Sequence, residues 1–345
     1  MALKKFDSFS HYLDLPSLIK KWPYTNDLYW FSLAGTAGRR GQGRINIPAV
    51  LQHYIADAFG NHETWIVGAY ISYTGFANCH FQFVDSATPQ VLLYQQADGR
   101  LSVYRGSTSN LLGTTTGTMF LNGSKHYVEF KAKVHGSTGT FEVRVDGLSV
   151  LSGTGANTQQ SANAYANTIR LGGTTGIPYG AGVYYEDVYI CDGSGSAPCN
   201  DFLGDCKAVS TFPTGNGTTS NFVGSDANST DNYLLVYETT PNTTNYLDSL
   251  TPNDVDLVNV TDISDTPSVI YGVQTSLYVC KSDAGDVRTV ADLIRSGGTN
   301  YPGAEKTLGT NWVYLCEVHE KNPNTDAAWT KTNFNSAEFG VKMVS

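Results

Sequence analysis

The stretch HYVEFKAKVHGSTGTFEVRVDG, residues 126–147, limits the fold more than any other part of the chain. Val128, Phe130, Ala132 and Val134 alternate with Glu129, Lys131 and Lys133. Beyond a Gly-containing turn, Phe141, Val143 and Val145 alternate with Glu142, Arg144 and Asp146. In a strand, neighbouring side chains point to opposite faces. The pattern therefore predicts an antiparallel hairpin with one buried face and one wet face. Val128, Phe130, Val143 and Val145 are expected in the core, with Lys131 and Arg144 exposed. Opposite charges on the wet face can pair across the strands, for about 0.2–1 kcal/mol each.

Other segments follow the same logic. TWIVGAYISY is apolar enough for a central strand, and VLLYQQADGRLSVYRG reads as a hairpin around Asp98-Gly99. Helix signals are scarce. In SHYLDLPSLIKKW, Asp14 can cap, Pro16 suits a first turn, and Leu15, Leu18 and Ile19 make a short apolar face. Near the end, WTKTNFNSAEFG reads as one or two helical turns with Thr330 as cap, before a last strand VKMVS. With 35 Gly, 21 Tyr and only 15 % charged residues, the chain has the materials of strands and tight turns.

A length of 345 residues suggests two domains or one large one, and each half is long enough to bury a core. The Gly/Ser/Pro/Asp-rich run CDGSGSAPCNDFLGDC marks the boundary, predicting domains at 1–198 and 199–345. In the second half, SVIYGVQTSLYVCKSDAGDVRTVADLIRSGG reads as two strands around an Asp283-Ala284-Gly285 turn, and NWVYLCEVHEKNP as another strand. The expected fold class is all-β: two antiparallel β-sandwich (jelly-roll) domains in tandem, with little helix.

The net charge of −9 argues against nucleic-acid and anionic-membrane partners. The one compact basic cluster, Arg39, Arg40 and Arg44 in GRRGQGR, reads as a solvated turn before the strand INIP. The N-terminus carries no apolar run of signal-peptide length and no segment could span a bilayer as a helix. Synthesis in a cytoplasm without a leader is therefore expected. The cysteines show no zinc spacing. Cys280 and Cys316 lie in apolar strands and read as buried thiols. For Cys191, Cys199 and Cys206, a disulfide between two of them after release is the alternative to thiols.

One stretch could carry chemistry. VYYEDVYICDGSG, residues 183–195, sets Glu186, Asp187 and Asp192 in an aromatic strand. A retaining glycosidase needs two carboxylates about 5–5.5 Å apart. In a regular strand Glu186 shares a face with Val188 and Ile190, and Asp187 with Tyr185 and Tyr189, so the two cannot act together. The stretch is read as a closing strand, with Asp187 pinning a loop and Asp192 turning the chain before Gly193. No catalytic motif of another class is present. Asp254, Asp256, Asp262 and Asp265 could offer oxygens to calcium, against the reading of a solvated strand edge. No catalytic, cofactor-binding or metal-binding residue is assigned, and no cofactor is expected.

The first half resembles the concanavalin A-like, laminin-G-like jelly roll. The residues that carry the likeness are GRRGQGRINI, TWIVGAYISY, the HYVEFKAKV…FEVRVDG hairpin and IRLGG…YYEDVYICDGSG. The resemblance implies that KFDSF, the first strand, pairs with the final strand of the domain. Over its whole length the chain resembles a tailed-bacteriophage virion protein of two jelly rolls, with NDFLGD joining the halves. RSGGTNYPG and NPNTDAAWT…FGVKMV sit in the second. The jelly-roll glucanases that share this fold use a Glu-x-Asp-x-x-Glu or Glu-x-Asp-x-Glu strand, which is absent here.

The resemblance implies a non-catalytic, peripheral structural protein of a phage particle, a capsid decoration, head fibre or tail fibre or tip protein. It would be assembled in the host bacterial cytoplasm and located on the virion. Its partners would be other phage structural proteins and further copies of itself, a homo-oligomer with a trimer favoured. The alternative is a carbohydrate-binding adhesin for a host-surface glycan, with Trp22, Tyr24, Tyr29 and Trp30 as candidate contact aromatics. A glycanase ranks below both. The segment before Trp22, with Leu13, Leu15, Leu18 and Ile19, either docks the protein to a particle or plugs one end of the first sandwich.

Overall fold

The computed structural model describes the whole chain except residues 13, 26–30, 35–37, 42, 49–52, 74–77, 174–181 and 240–241. The chain divides into two compact units, Met1–Val209 and Ser210–Ser345. Strands dominate both. Among the described residues, α-helix is limited to the five-residue segments Leu15–Ile19 and Lys331–Asn335. Each starts on the cap its sequence offers. Asp14 accepts from the Ser17 amide at 2.8 Å, and the Thr330 hydroxyl accepts from the Asn333 amide at 3.1 Å.

The first unit is a sandwich of two antiparallel sheets. In spatial order the first holds Leu148–Ala156, Gly139–Val145, Lys125–Lys133, Thr64–Tyr73, Gly182–Cys191, Arg44–Pro48 and Ser32–Ala34. Leu3–Asp7 adds an eighth strand beside Gly182–Cys191, from Leu3 opposite Cys191 to Asp7 opposite Val188. This is the first-to-final pairing that the jelly-roll resemblance implies. The second sheet holds Leu111–Thr114, Leu101–Arg105, Thr88–Gln95, Asn78–Asp85, Ala166–Gly172, Tyr54–His62 and Tyr24–Thr25. Both predicted hairpins form in register, with Phe130 opposite Val143 and Gln95 opposite Leu101.

Val128, Phe130, Val143 and Val145 all enter the core. Phe130 stacks on Phe83 of the other sheet at 4.9 Å between centroids, so one side chain ties the layers together. The helix Leu15–Ile19 closes one end: Leu18 and Trp22 are fully buried in the same core, and Leu15 packs on it. The apolar face offered as a docking element is thus turned inward. Leu13 lies outside the described residues.

The wet face of the hairpin departs from expectation. Glu129 is 1 % exposed, and Lys131 and Arg144 are only half-exposed. The cause is a strap, residues 199–209, laid across this face. Phe202 sits under the Arg144 guanidinium at 4.1 Å, Asp201 pairs with Lys131 at 3.0 Å, and the Gly204 amide donates to Glu129 at 2.8 Å. Alternation reports which residues share a face, and not what a distant segment later covers. The same bonds carry residues 199–209 with the first unit, although their composition reads as the start of the second domain.

The second unit is built on one six-stranded antiparallel sheet. Its order is Pro213–Ser220, Val255–Val260, Glu338–Met343, Thr289–Ser296 and Thr299–Pro302, with Lys306–Thr307 also on Thr289–Ser296. The last strand starts at Glu338, ahead of VKMVS, because the helical turn ends at Asn335. Val273–Val279 and Val313–His319 pair as a ribbon packed on this sheet. The strands flanking Asp283-Ala284-Gly285 do not pair with each other; one joins the ribbon and the other the sheet. Polar ties fasten the layers: Asp292 accepts from Thr275 at 2.9 Å and lies 2.7 Å from His319 Nε2. Cys280 is half-buried and Cys316 exposed, against the expectation of two buried thiols, because Cys316 alternates onto the outer side of the ribbon.

Candidate functional site

The strand Gly182–Cys191 does not keep a strict period of two. Asp187 has φ +48°, and the pairing with Thr64–Tyr73 slips between Glu186 and Tyr189. This is a β-bulge, in which an extra residue turns the following side chains over. Tyr185, Val188 and Ile190 consequently point into the core, while Glu186 and Asp187 meet the same arginine on the outer side. The expectation that the two carboxylates face opposite ways is overturned. A non-Gly residue in the left-handed region leaves no mark in composition or periodicity.

The pair is nevertheless fully engaged. The Arg39 amide donates to Glu186, and Arg39 Nε donates to Asp187 at 2.9 Å. The same guanidinium bonds Asp205 at 2.5 Å and the Cys206 carbonyl at 2.8 Å, and lies 4.2 Å over the Tyr70 ring. Asp187 also accepts from the Ala208 amide at 3.0 Å, which pins the strap. Deeper in, Glu129 accepts from the Tyr189 hydroxyl at 2.5 Å, and that hydroxyl takes the Leu203 amide at 3.1 Å. Burial pushes the carboxyls of Glu129, Glu186 and Asp187 above their ordinary range. The cluster is a clasp, with its acids committed to Arg39, Tyr189 and the strap. Arg39 is therefore no solvated turn residue; only Arg40 of the pair stays substantially exposed, and Arg44 stacks on Tyr184 at 4.3 Å.

The remaining sequence candidates fall elsewhere. Asp256 turns inward and accepts from Ser220, Phe222 and Asn232, so it is no edge carboxylate. Asp254 accepts from Ser249. Asp192 accepts from the Ser194 amide at 2.8 Å and pairs with Lys4 at 2.6 Å, with Gly193 at φ +68° beside it. Of the proposed aromatics, Trp22 is a core residue bonded to Asp7 at 2.8 Å, and Tyr24 is 52 % exposed. Tyr29 and Trp30 lie outside the described residues.

Tyr24 leads to a different surface. It pairs with Ala56, Ala56 with Arg170, Arg170 with Gln82, Gln82 with Leu92, Leu92 with Tyr104, and Tyr104 with Leu111. Directly opposed residues share a face, so these seven form one row across the whole seven-stranded sheet. Their strand neighbours Ile55, Ile169, Phe81, Leu93 and Val103 are in the core, which places the row on the outer face. A second row runs beside it through Cys79, Tyr94, Ser102 and Thr114.

This face is aromatic and neutral-polar. Cys79, Leu92 and Tyr104 form a small apolar cluster under Tyr94, whose ring meets Tyr104 edge-on at 6.0 Å. Gln96 donates to the Tyr104 hydroxyl at 2.6 Å and to Ser102 at 3.0 Å. Gln82 donates to the carbonyls of Gly172 and Gly173. Arg170 stacks on Tyr54 at 4.5 Å. Burial lifts the Cys79 thiol to about 12, so it stays protonated and unreactive. The sequence reading did not single out Arg170, Tyr54, Tyr94 or Tyr104. The alternation in NTIRLG carried a signal for Arg170, but which residues stand beside it follows from pairing between strands more than 80 residues apart, such as Arg170 with Gln82.

No protein-family model matches the sequence, and no curated protein sequence matches it. Solved structures are similar in outline. The alginate lyase Aly36B matches at TM-score 0.36 and 11 % identity, over 50 % of this chain and 88 % of that one. The exoplasmic/lumenal domain of VIP36, in a Ca2+/Man3GlcNAc-bound form, matches at 0.32 and 10 %, over 57 % and 93 %. The Caenorhabditis elegans galectin LEC-6 matches at 0.30 and 12 %, over 43 % and 94 %. Nothing about what this chain binds follows from likenesses so distant.

Proposed function

We propose that the chain is a non-catalytic carbohydrate-binding protein whose first unit holds a glycan on the outer face of the seven-stranded sheet. The observation that carries this reading is the double row of Tyr rings, side-chain amides and hydroxyls on that face. A pyranose ring offers a flat C–H face and a rim of hydroxyls. Tyr24, Tyr54 and Tyr94, all at least part-exposed, supply flat apolar surface with a polar edge. The part-exposed Gln96 amide and Thr114 hydroxyl supply short-range polar partners. On the opposite sheet the corresponding surface is filled by the chain's own strap. The non-catalytic part of the reading is supported by the clasp. It engages both Glu186 and Asp187, so neither is free to serve in the acid–nucleophile pair that hydrolysis requires.

The phage-virion setting rests on the sequence resemblance, and a glycan-binding subunit on such a particle would act as a host-surface adhesin. A glycan array probed with the full chain tests the binding reading. Signal on at least one glycan class that falls in Tyr94→Ala, with no new reducing ends released, is the expected result. Silence across the array, or cleavage of a bound glycan, overturns it.

A further inference from the structure

The chain carries 31 acidic and 22 basic residues, so acids are in surplus. Arg39, Arg40, Arg100, Arg144 and Arg288 each lie within 4.0 Å of a carboxylate oxygen. Among the described residues, no acid stands so close to Arg44, Arg105, Arg170 or Arg295; of these, Arg170 is the one in the outer row of the seven-stranded sheet. Its guanidinium lies on the Tyr54 ring, its Nε is buried without a hydrogen-bond acceptor, and it is flanked in its row by Ala56 and Gln82, neither of them charged. Burial without an acid beside it draws the Arg170 pKa below its ordinary value.

A half-buried guanidinium without a counter-charge bears a desolvation cost with little to offset it. An arriving anion supplies the offset. A guanidinium edge matches the two oxygens of a carboxylate or the oxygens of a sulfate, and the ring stacked on it holds the fork in one plane. From this, and resting on the glycan-binding reading above, we infer that the outer face of the seven-stranded sheet selects anionic sugars, with Arg170 as the residue that binds the acid group. Tyr94, part-exposed and two strands away from Arg170, then meets the neutral part of the same saccharide.

The test compares matched probes on the full chain by titration calorimetry: oligogalacturonate against its methyl ester, and dextran sulfate against dextran. Each pair differs in charge and not in the sugar backbone. The expected result is at least tenfold tighter binding of one anionic member than of its neutral partner. Arg170→Gln should remove that preference, and Arg170→Lys should keep part of it, as a point charge without the fork. The carboxylate and sulfate arms tell which acid is chosen. Equal affinity for charged and neutral members overturns the anion selectivity and leaves the glycan reading standing. An anionic preference that survives Arg170→Gln overturns the assignment to Arg170. Failure to bind any of the four, together with a silent glycan array, overturns both readings.

Discussion

The two sheets of the first unit share one core and differ in what lies on their outer faces. On the eight-stranded sheet, Arg39 meets Glu186, Asp187 and Asp205, and residues 199–209 cover the charged face of the hairpin. On the seven-stranded sheet, Arg170 meets a tyrosine ring and, among the described residues, no acid. One arginine is consumed in holding the fold; the other lies on a ring and has no counter-charge among the described residues. The difference separates a surface that serves as architecture from one that is left in want of a partner, and it predicts that like substitutions on the two faces have unlike effects.

The core sets the scale. Phe130 is fully buried and stacked on Phe83, so Phe130→Ala should lower unfolding free energy by about 3–5 kcal/mol in denaturant melts. Next comes Arg39→Gln, expected to cost about 3 kcal/mol because it leaves Asp187 buried without its cation. The same variant should be nicked by protease within residues 199–209, where wild type resists. A loss under about 0.5 kcal/mol, the range of an ordinary surface substitution, would erase the contrast between the faces. Tyr189→Phe removes the hydroxyl between Glu129 and the Leu203 amide and should cost about 1–3 kcal/mol. Arg170→Gln should change stability by no more than about 0.5 kcal/mol or raise it, since no ion pair is lost.

The acids of the clasp add a pH dependence of defined sign. Burial raises the folded-state pKa of Glu129 above its unfolded value. Such a group contributes stability below the unfolded pKa, about 4.3, that is lost as pH rises through the raised folded value. Glu129→Gln keeps an acceptor for Tyr189 and carries no charge. Its melting temperature should fall less than that of wild type as pH is raised from about 4 to about 7. A wild type and variant with parallel pH profiles would show that Glu129 is not held in the protonation state its burial implies.

Much of the architecture was legible in the sequence. Period-two alternation located the 125–145 hairpin and its four core residues, and Asp98-Gly99 located another. The caps Asp14 and Thr330 stood at their helices. The failures share a cause. Glu129 has the polar identity of a wet-face residue, and only a strap arriving from residue 199 onward makes it a buried one. Glu186 and Asp187 fall on opposite faces of a regular strand until a bulge at a non-Gly residue turns one of them over. The row through Arg170 gathers residues from Tyr24 to Leu111 and back through strands far apart in sequence, so no local pattern announces it. Local periodicity encodes the strands; long-range pairing assembles the surfaces.

Amide hydrogen exchange with and without the tighter-binding anionic probe, oligogalacturonate or dextran sulfate, tests the division between the two faces most directly. The account predicts added protection in Asn78–Asp85, Thr88–Gln95, Leu101–Arg105 and Ala166–Gly172, with Lys125–Lys133 and residues 199–209 unchanged. Protection confined to the strap, to the eight-stranded sheet or to the second unit, or no protection at saturating ligand, would contradict it.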